Sequence, residues 1–266
     1  QSGRLTREEA QLLLDCLGIQ INNRVSRGLS TGYMVGGRDR DGKPVANELT
    51  ELCMNVVEDN QLTVVFVDGY RLALRREQLS AKKGGQAFSF VVPGSALSEV
   101  EKICSGEENI TVCQGSRHIL FQTGDTVLVC RRLEGEFLAY KNAIPRNNSI
   151  QIEGDTRALL QSIERVSLII SDKLKSPLRC VFGDGMLSIT TKTGIGDAAD
   201  QCPITGDGQG LEIGFNNKYL MDALKAAPAD RLRLEFTSGV APCVILPAEG
   251  EENFVYMVLP VRLKAN

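Results

Sequence analysis

The feature that most constrains this chain of 266 residues is an internal repeat. The stretch starting at Phe88, FSFVVPGSALSEVEKICSGEENITVCQGSRHILFQTGDTVLVCRRLEG, reads as a strand, a helix and three strands. The stretch starting at Leu211, LEIGFNNKYLMDALKAAPADRLRLEFTSGVAPCVILPAEGEENFVYMVLPVRL, reads the same way. The helix opens near Ser95 in one and Asn217 in the other, and the next strand begins near Ile110 and Arg231, so both landmarks recur at a spacing of about 120 residues. The same order at the same spacing implies two copies of one domain.

Each copy has a first half built alike. From Ser149, SIQIEGDTRALLQSIERVSLIISDK predicts a strand and then a helix capped by Asp155 or Thr156, whose side-chain oxygens can accept an N–H left unpaired in the first turn. LRCVFGDGMLSITTKT predicts two strands around a Gly-Asp-Gly turn. In the N-terminal copy, TREEAQLLLDCLG carries a capping box, Thr6 with Glu9, ahead of an apolar stripe. ELCMNVVEDNQLTVVFVDGYRLALRR then predicts three strands, with a hairpin at Asp68-Gly69. Leu62, Val64 and Phe66 alternate before that turn, and Tyr70, Leu72 and Leu74 after it. The interval from helix to hairpin is longer in this copy by roughly two dozen residues, which we assign to a Gly-, Asn- and Arg-rich inserted loop near 20–47. The expected class is α+β: two tandem domains, residues 1–147 and 148–266, each of two strand-rich half-domains with one helix per half and the helices on one face. The polar stretch PRNNS marks the junction.

Composition narrows the function. A net charge of -3 lacks the basic excess of a tight nucleic-acid binder, so any DNA contact must come from local patches or geometry. Eight cysteines with no CxxC spacing and a single histidine, His118, give no metal site, and no cofactor is expected. The thiols read as reduced and structural, which suits a cytoplasmic location. No apolar run approaches the length of a membrane span. Gln1-Ser2-Gly3, without an initiator Met, leads us to expect a fragment of a longer protein. GxxxxGK[ST] and GxGxxG are absent, GYMVGGRDRDGK lacks a strand-to-helix setting, and the acidic residues of GDGMLS and TGIGDAADQ do not follow calcium-loop spacing. An enzyme is therefore not expected.

VDGYRLAL, VVPGSAL, RRLEGEFLAYKNAIP, EIGFNNKYLMDAL and YMVLPVRL occur in an order and spacing that resemble the bacterial sliding clamp, the β subunit of DNA polymerase III. The resemblance runs from about Leu49 to Leu263 and covers only that family's second and third domains. It implies a processivity factor that encircles double-stranded DNA, without reading its sequence, as a head-to-tail homodimer ring when full length. The fragment itself is expected to be monomeric. The resemblance also implies a groove that docks short peptides of the DNA polymerase III catalytic subunit, the clamp loader and other proteins carrying clamp-binding motifs. Matched motif by motif, the groove would use Val67, Arg71, Leu72, Leu138, Ala143, Asn216, Tyr219, Pro242, Met257, Leu259, Pro260, Val261 and Arg262. Leu138 stands where the family often has proline, Asn142 replaces a basic residue, and Val67 replaces a threonine. Physically, Pro260 has no N–H, so strand pairing is interrupted there and side chains can face a ligand. Each buried peptide Leu or Phe would contribute roughly 1.5–3 kcal/mol, enough for an exchangeable affinity.

The family places one helix per half-domain on the DNA-facing wall, which here would carry Arg7, Lys102, Arg157, Gln161, Arg165, Lys218 and Lys225. Arg157, Gln161 and Arg165 share a helix face by their spacing of four. This mixed lining implies weak, salt-sensitive contacts to phosphate. Leu168 and Ile169 would meet the neighbouring subunit and stand partly exposed without it. The alternative is a clamp-like adaptor or decoy that binds the same peptides without encircling DNA.

Overall fold

The computed structural model of the chain describes residues 52–58, 61–78, 88–103, 110–123, 125–133, 137–171, 176–250 and 252–263. Thr6, Arg7 and the stretch read as an inserted loop lie outside the described residues. By internal contacts the described residues form two units. One runs to Asp68 and from Gln78 to Phe137, and the other comprises Gly69–Glu77 and everything from Leu138. Most of β3 (Arg71–Gln78) therefore belongs with the C-terminal part of the chain.

In the N-terminal unit, β1 (Leu52–Glu58) lies between β2 (Gln61–Val67) and β4 (Phe88–Pro93), antiparallel to both. β4 runs straight into α1 (Gly94–Ile103). A meander of β5 (Thr111–Gln114), β6 (His118–Thr123) and β7 (Thr126–Arg131) follows. Phe90, Val92, Val100, Ile119 and Phe121 form the core, with the Phe90 and Phe121 rings edge-to-face at 6.2 Å. Val64 and Phe66 pack on this core as the alternation predicts, but Val65 between them is fully buried too. Both faces of β2 are thus covered, and alternation alone does not sort inside from outside there.

After a single helical turn, α2 (Tyr140–Ala143), the C-terminal unit holds two successive copies of strand, helix and three strands. The first is β8 (Ile150–Asp155), α3 (Thr156–Ser167), β9 (Leu178–Gly183), β10 (Met186–Thr193) and β11 (Gly196–Gly206). The second is β12 (Glu212–Phe215), α4 (Asn217–Ala226), β13 (Arg231–Phe236), β14 (Cys243–Pro247) and β15 (Phe254–Val258). Their pairing order is β12-β9-β10-β11-β8-β13-β14-β15-β3, antiparallel throughout. The two halves share their first strands: β12 pairs with β9 of the first copy, and β8 lies between β11 of its own copy and β13 of the second. Neither half can keep its sheet intact without the other.

Local chemistry explains the element ends. Asp155 caps α3 by accepting the Ala158 N–H at 2.7 Å, and Asn216 caps α4 by accepting from Lys218 and Tyr219. The predicted turn before β10 is Asp184-Gly185, with φ of 38° and 75°, the left-handed pair that a two-residue hairpin requires. Leu159, Ile163 and Val166 of α3 and Leu220 and Leu224 of α4 share one core with Phe182, Phe215, Phe236 and Phe254 of the sheet. TGIGDAADQ is a hairpin tip and strand, in which Thr193 pairs with Gly196 around Gly194-Ile195. Tyr70, which alternates with Leu72 and Leu74 in the sequence, falls in the turn before β3 and is 54% exposed.

Candidate peptide-binding site

The C-terminal strand and the strand after the Asp68-Gly69 turn are neighbours. β15 pairs antiparallel with β3, placing Met257 opposite Leu72 and Val258 opposite Arg71. Leu72 and Met257 are both buried, so they form a floor rather than a surface. The chain then leaves the sheet. Leu259 N–H donates to the Tyr70 carbonyl at 2.9 Å, Pro260 has no N–H to donate, and Val261 N–H donates to the Gly214 carbonyl at 2.8 Å. Leu259 and Pro260 are half-buried, while Val261 and Arg262 are exposed. Gly214 has to be glycine here, because a Cβ would lie 2.5 Å from the Val261 carbonyl oxygen.

Beside this tail sits an aromatic and charged cluster. The Tyr70 and Tyr219 rings stack at 5.9 Å, inclined by 24°. The Arg71 guanidinium carbon lies 4.7 Å from the Tyr219 ring centre, within cation–π range, and Arg71 Nη1 donates to Asp222 Oδ2 at 2.6 Å. Asn216 supplies the cap that begins α4, and so sets the direction in which Tyr219 and Asp222 project. The structure thus joins Arg71, Leu72, Tyr219, Met257 and Leu259 through pairing, stacking and hydrogen bonds. Leu138 is exposed ahead of α2, Ala143 ends α2, and Pro242 is half-buried just before β14; these are placed by their own elements. Val67 ends β2 in the other unit. Tyr70 and Asp222 belong to the cluster although the sequence reading gave neither to it. The signals available were a tyrosine directly after a turn and an acid three residues past Tyr219 on the same helix face.

The residues read as DNA-facing carry much of their charge in ion pairs. Arg165 Nε meets Asp200 Oδ2 at 2.5 Å and its guanidinium also donates to Ser162, Lys225 meets Glu164 at 3.0 Å, and Lys102 meets Glu99 at 2.6 Å. The Arg165 hydrogen bond holds the Asp200 carboxyl below its ordinary range. Arg157, Gln161 and Lys218 are exposed. Leu168, just past the end of α3, is 83% exposed and Ile169 is half-buried. Burial pushes the Cys180 thiol up to about 12 and Cys130 up to about 11, which keeps both unreactive at neutral pH. No group of three or more potential metal-ligating side chains occurs among the described residues.

Two family models fit this arrangement. The DNA polymerase III beta subunit, central domain, matches residues 42–138, and the C-terminal domain of the same subunit matches residues 141–262. The chain belongs to the DNA polymerase III β subunit family. The beta sliding clamp of Staphylococcus aureus (strain Mu50) is 30% identical over 210 residues, covering 78% of this chain and 55% of the relative. A DNA polymerase III β subunit from Eubacterium rectale superposes with a TM-score of 0.75 at 30% identity, over 84% of this chain and 59% of that one. A DNA polymerase sliding clamp from Bacillus subtilis gives 0.74 at 26% identity, over 82% and 59%. The α+β sliding-clamp fold is thereby shown, and the chain spans about half the length of the curated relatives it matches. A further model, pyruvate formate lyase-like, matches residues 1–64 and overlaps the β subunit match from residue 42.

Proposed function

We propose that this chain is a peptide-docking part of a replicative sliding clamp, working through the cluster built on β3, α4 and the segment after β15. The observation that carries the reading is the pairing of β15 with β3, which brings Leu259 onto Tyr70 and sets Arg71 over Tyr219. Half-buried Leu259 and Pro260 beside two tyrosines supply an apolar surface, and Asn216 and Arg71 supply polar groups that fix orientation. Leu138, Ala143 and Pro242 extend the same groove, whose natural ligands are segments of the polymerase catalytic subunit, the clamp loader and repair proteins.

In the full-length protein, with clamp-type domains at residues 1–147 and 148–266, the function is processivity on duplex DNA in the cytoplasm. A ring holds DNA by topology, so paired cations such as Arg165 and Lys225 suit it: they leave weak contacts that do not impede sliding. Leu168 and Ile169 meet the neighbouring subunit, and catalysis belongs to the polymerase. The test is a calorimetric titration with acetyl-Gln-Leu-Ser-Leu-Phe-amide. Micromolar binding is expected, lost in Leu259→Asp while the thermal transition is kept. No heat at high micromolar peptide defeats the docking reading. Retention of the chain on nicked circular DNA without further domains would favour encirclement by this part alone.

A further inference from the structure

Asp222 brings a carboxylate into the cluster beside the Arg71 guanidinium. Arg71 is a cation of the cluster, and its Nη1 is already engaged by Asp222 at 2.6 Å, with side chains 28% and 59% exposed. The same guanidinium lies against Tyr219, whose ring stacks on Tyr70. One side chain therefore joins a carboxylate, two aromatic rings and the β3 strand that carries Leu72.

Resting on the docking reading, we propose that Asp222 sets the charge selectivity of the groove. It acts as an internal counter-ion that keeps Arg71 occupied and held over Tyr219. A ligand without a carboxylate near its apolar anchors leaves the pair intact and packs on the tyrosines. A ligand with a carboxylate there has to displace Asp222 from Arg71, exchanging one ion pair for another and leaving a second acid beside its own. The preferred occupant is an apolar peptide that is uncharged at the positions reaching Arg71. Because the pair is exposed, it is weak and exchangeable, so the effect is discrimination between ligands rather than stability. Asp222 is a positioning residue in this account, acting through Arg71.

The experiment uses the whole chain and four capped peptides: acetyl-Gln-Leu-Ser-Leu-Phe-amide, and three versions carrying one Glu, before the motif, at its third position, or after it. Asp222→Asn should raise the affinity of at least one Glu peptide relative to that of the neutral peptide roughly fivefold. The gain should shrink as salt is raised. Asp222→Ser serves as a second variant with the same expectation. Arg71→Met in the Asp222→Asn background should abolish the difference between neutral and Glu peptides. Equal changes for all four peptides, or none, overturn the role of Asp222 while leaving docking intact. If the neutral peptide fails to bind the unaltered chain, the docking reading itself has failed, and this inference with it.

Discussion

Helix α1 of the N-terminal unit and helices α3 and α4 of the C-terminal unit differ in their described ion pairs. On α1 the pair closes within the helix, Lys102 to Glu99 one turn away. On α3 and α4 the pairs reach across the fold: Arg165 to Asp200 on β11, Lys225 to Glu164 between the helices, and Asp222 to Arg71 on β3. A pair within one helix supports that helix and nothing else, and contributes only a few tenths of a kcal/mol. A pair across elements links two elements, and at Arg71 it also adjoins an aromatic cluster. The contrast teaches that the C-terminal unit uses its surface charges as geometry, and that is where the candidate site lies.

The largest way to probe the contrast is through the cores. Phe236→Ala removes a fully buried ring that packs 5.5 Å from Phe182, and should cost about 3–5 kcal/mol in denaturant unfolding. The companion change Phe121→Ala cuts the N-terminal core instead. If the units unfold separately, each variant lowers one of two transitions; a common shift of a single transition would break the distinction between them. Next in size is Gly214→Ala. Its Cβ would meet the Val261 carbonyl at 2.5 Å and Leu263 Cδ2 at 2.8 Å, so the tail must move, at a cost of roughly 1–3 kcal/mol. Peptide affinity should fall with it, whereas unchanged affinity would separate the tail from the site. The smallest effect compares Lys102→Ala with Asp200→Asn. The first should lie within about 0.5 kcal/mol at any pH. Asp200 has a carboxyl pKa lowered from 3.8 in the folded chain, so its contribution is present above that value and is lost as pH falls through the depressed folded value. Asp200→Asn should therefore be mildly destabilising at neutral pH and indistinguishable from the unaltered chain in strong acid. A loss that persists at low pH would show that packing, not charge, was removed.

The parts of this architecture legible in the sequence are those with short-range causes. Asp184-Gly185 announces its hairpin because few other residues tolerate that backbone, and Asn216 announces α4 because its side chain satisfies the first turn. The repeat of strand, helix and three strands is legible for the same reason. Strand sharing between the halves is not, since β12 and β8 carry no local mark of which meander they will join. At the candidate site, Leu72 and Met257 could be placed near one another from matched motifs, but their burial depends on lying opposite each other across strands far apart in the chain. Period-two alternation groups Tyr70 with Leu72 and Leu74 and does not reveal that Tyr70 lies in the turn, exposed. The Arg71–Asp222 pair spans 151 residues and is set by the orientation of α4 against β3, which no window of sequence contains.

The two hydrogen bonds flanking Pro260 have a consequence for anyone who handles this protein. One reaches the turn that opens β3 and the other reaches β12, the first and last strands in the pairing order of the C-terminal unit. Three residues of tail thus act as a clasp between the turn before β3 and strand β12. An exopeptidase that nibbles past Leu263, or a bulky tag fused there, would undo the clasp and leave the β12 margin open to pairing with another chain.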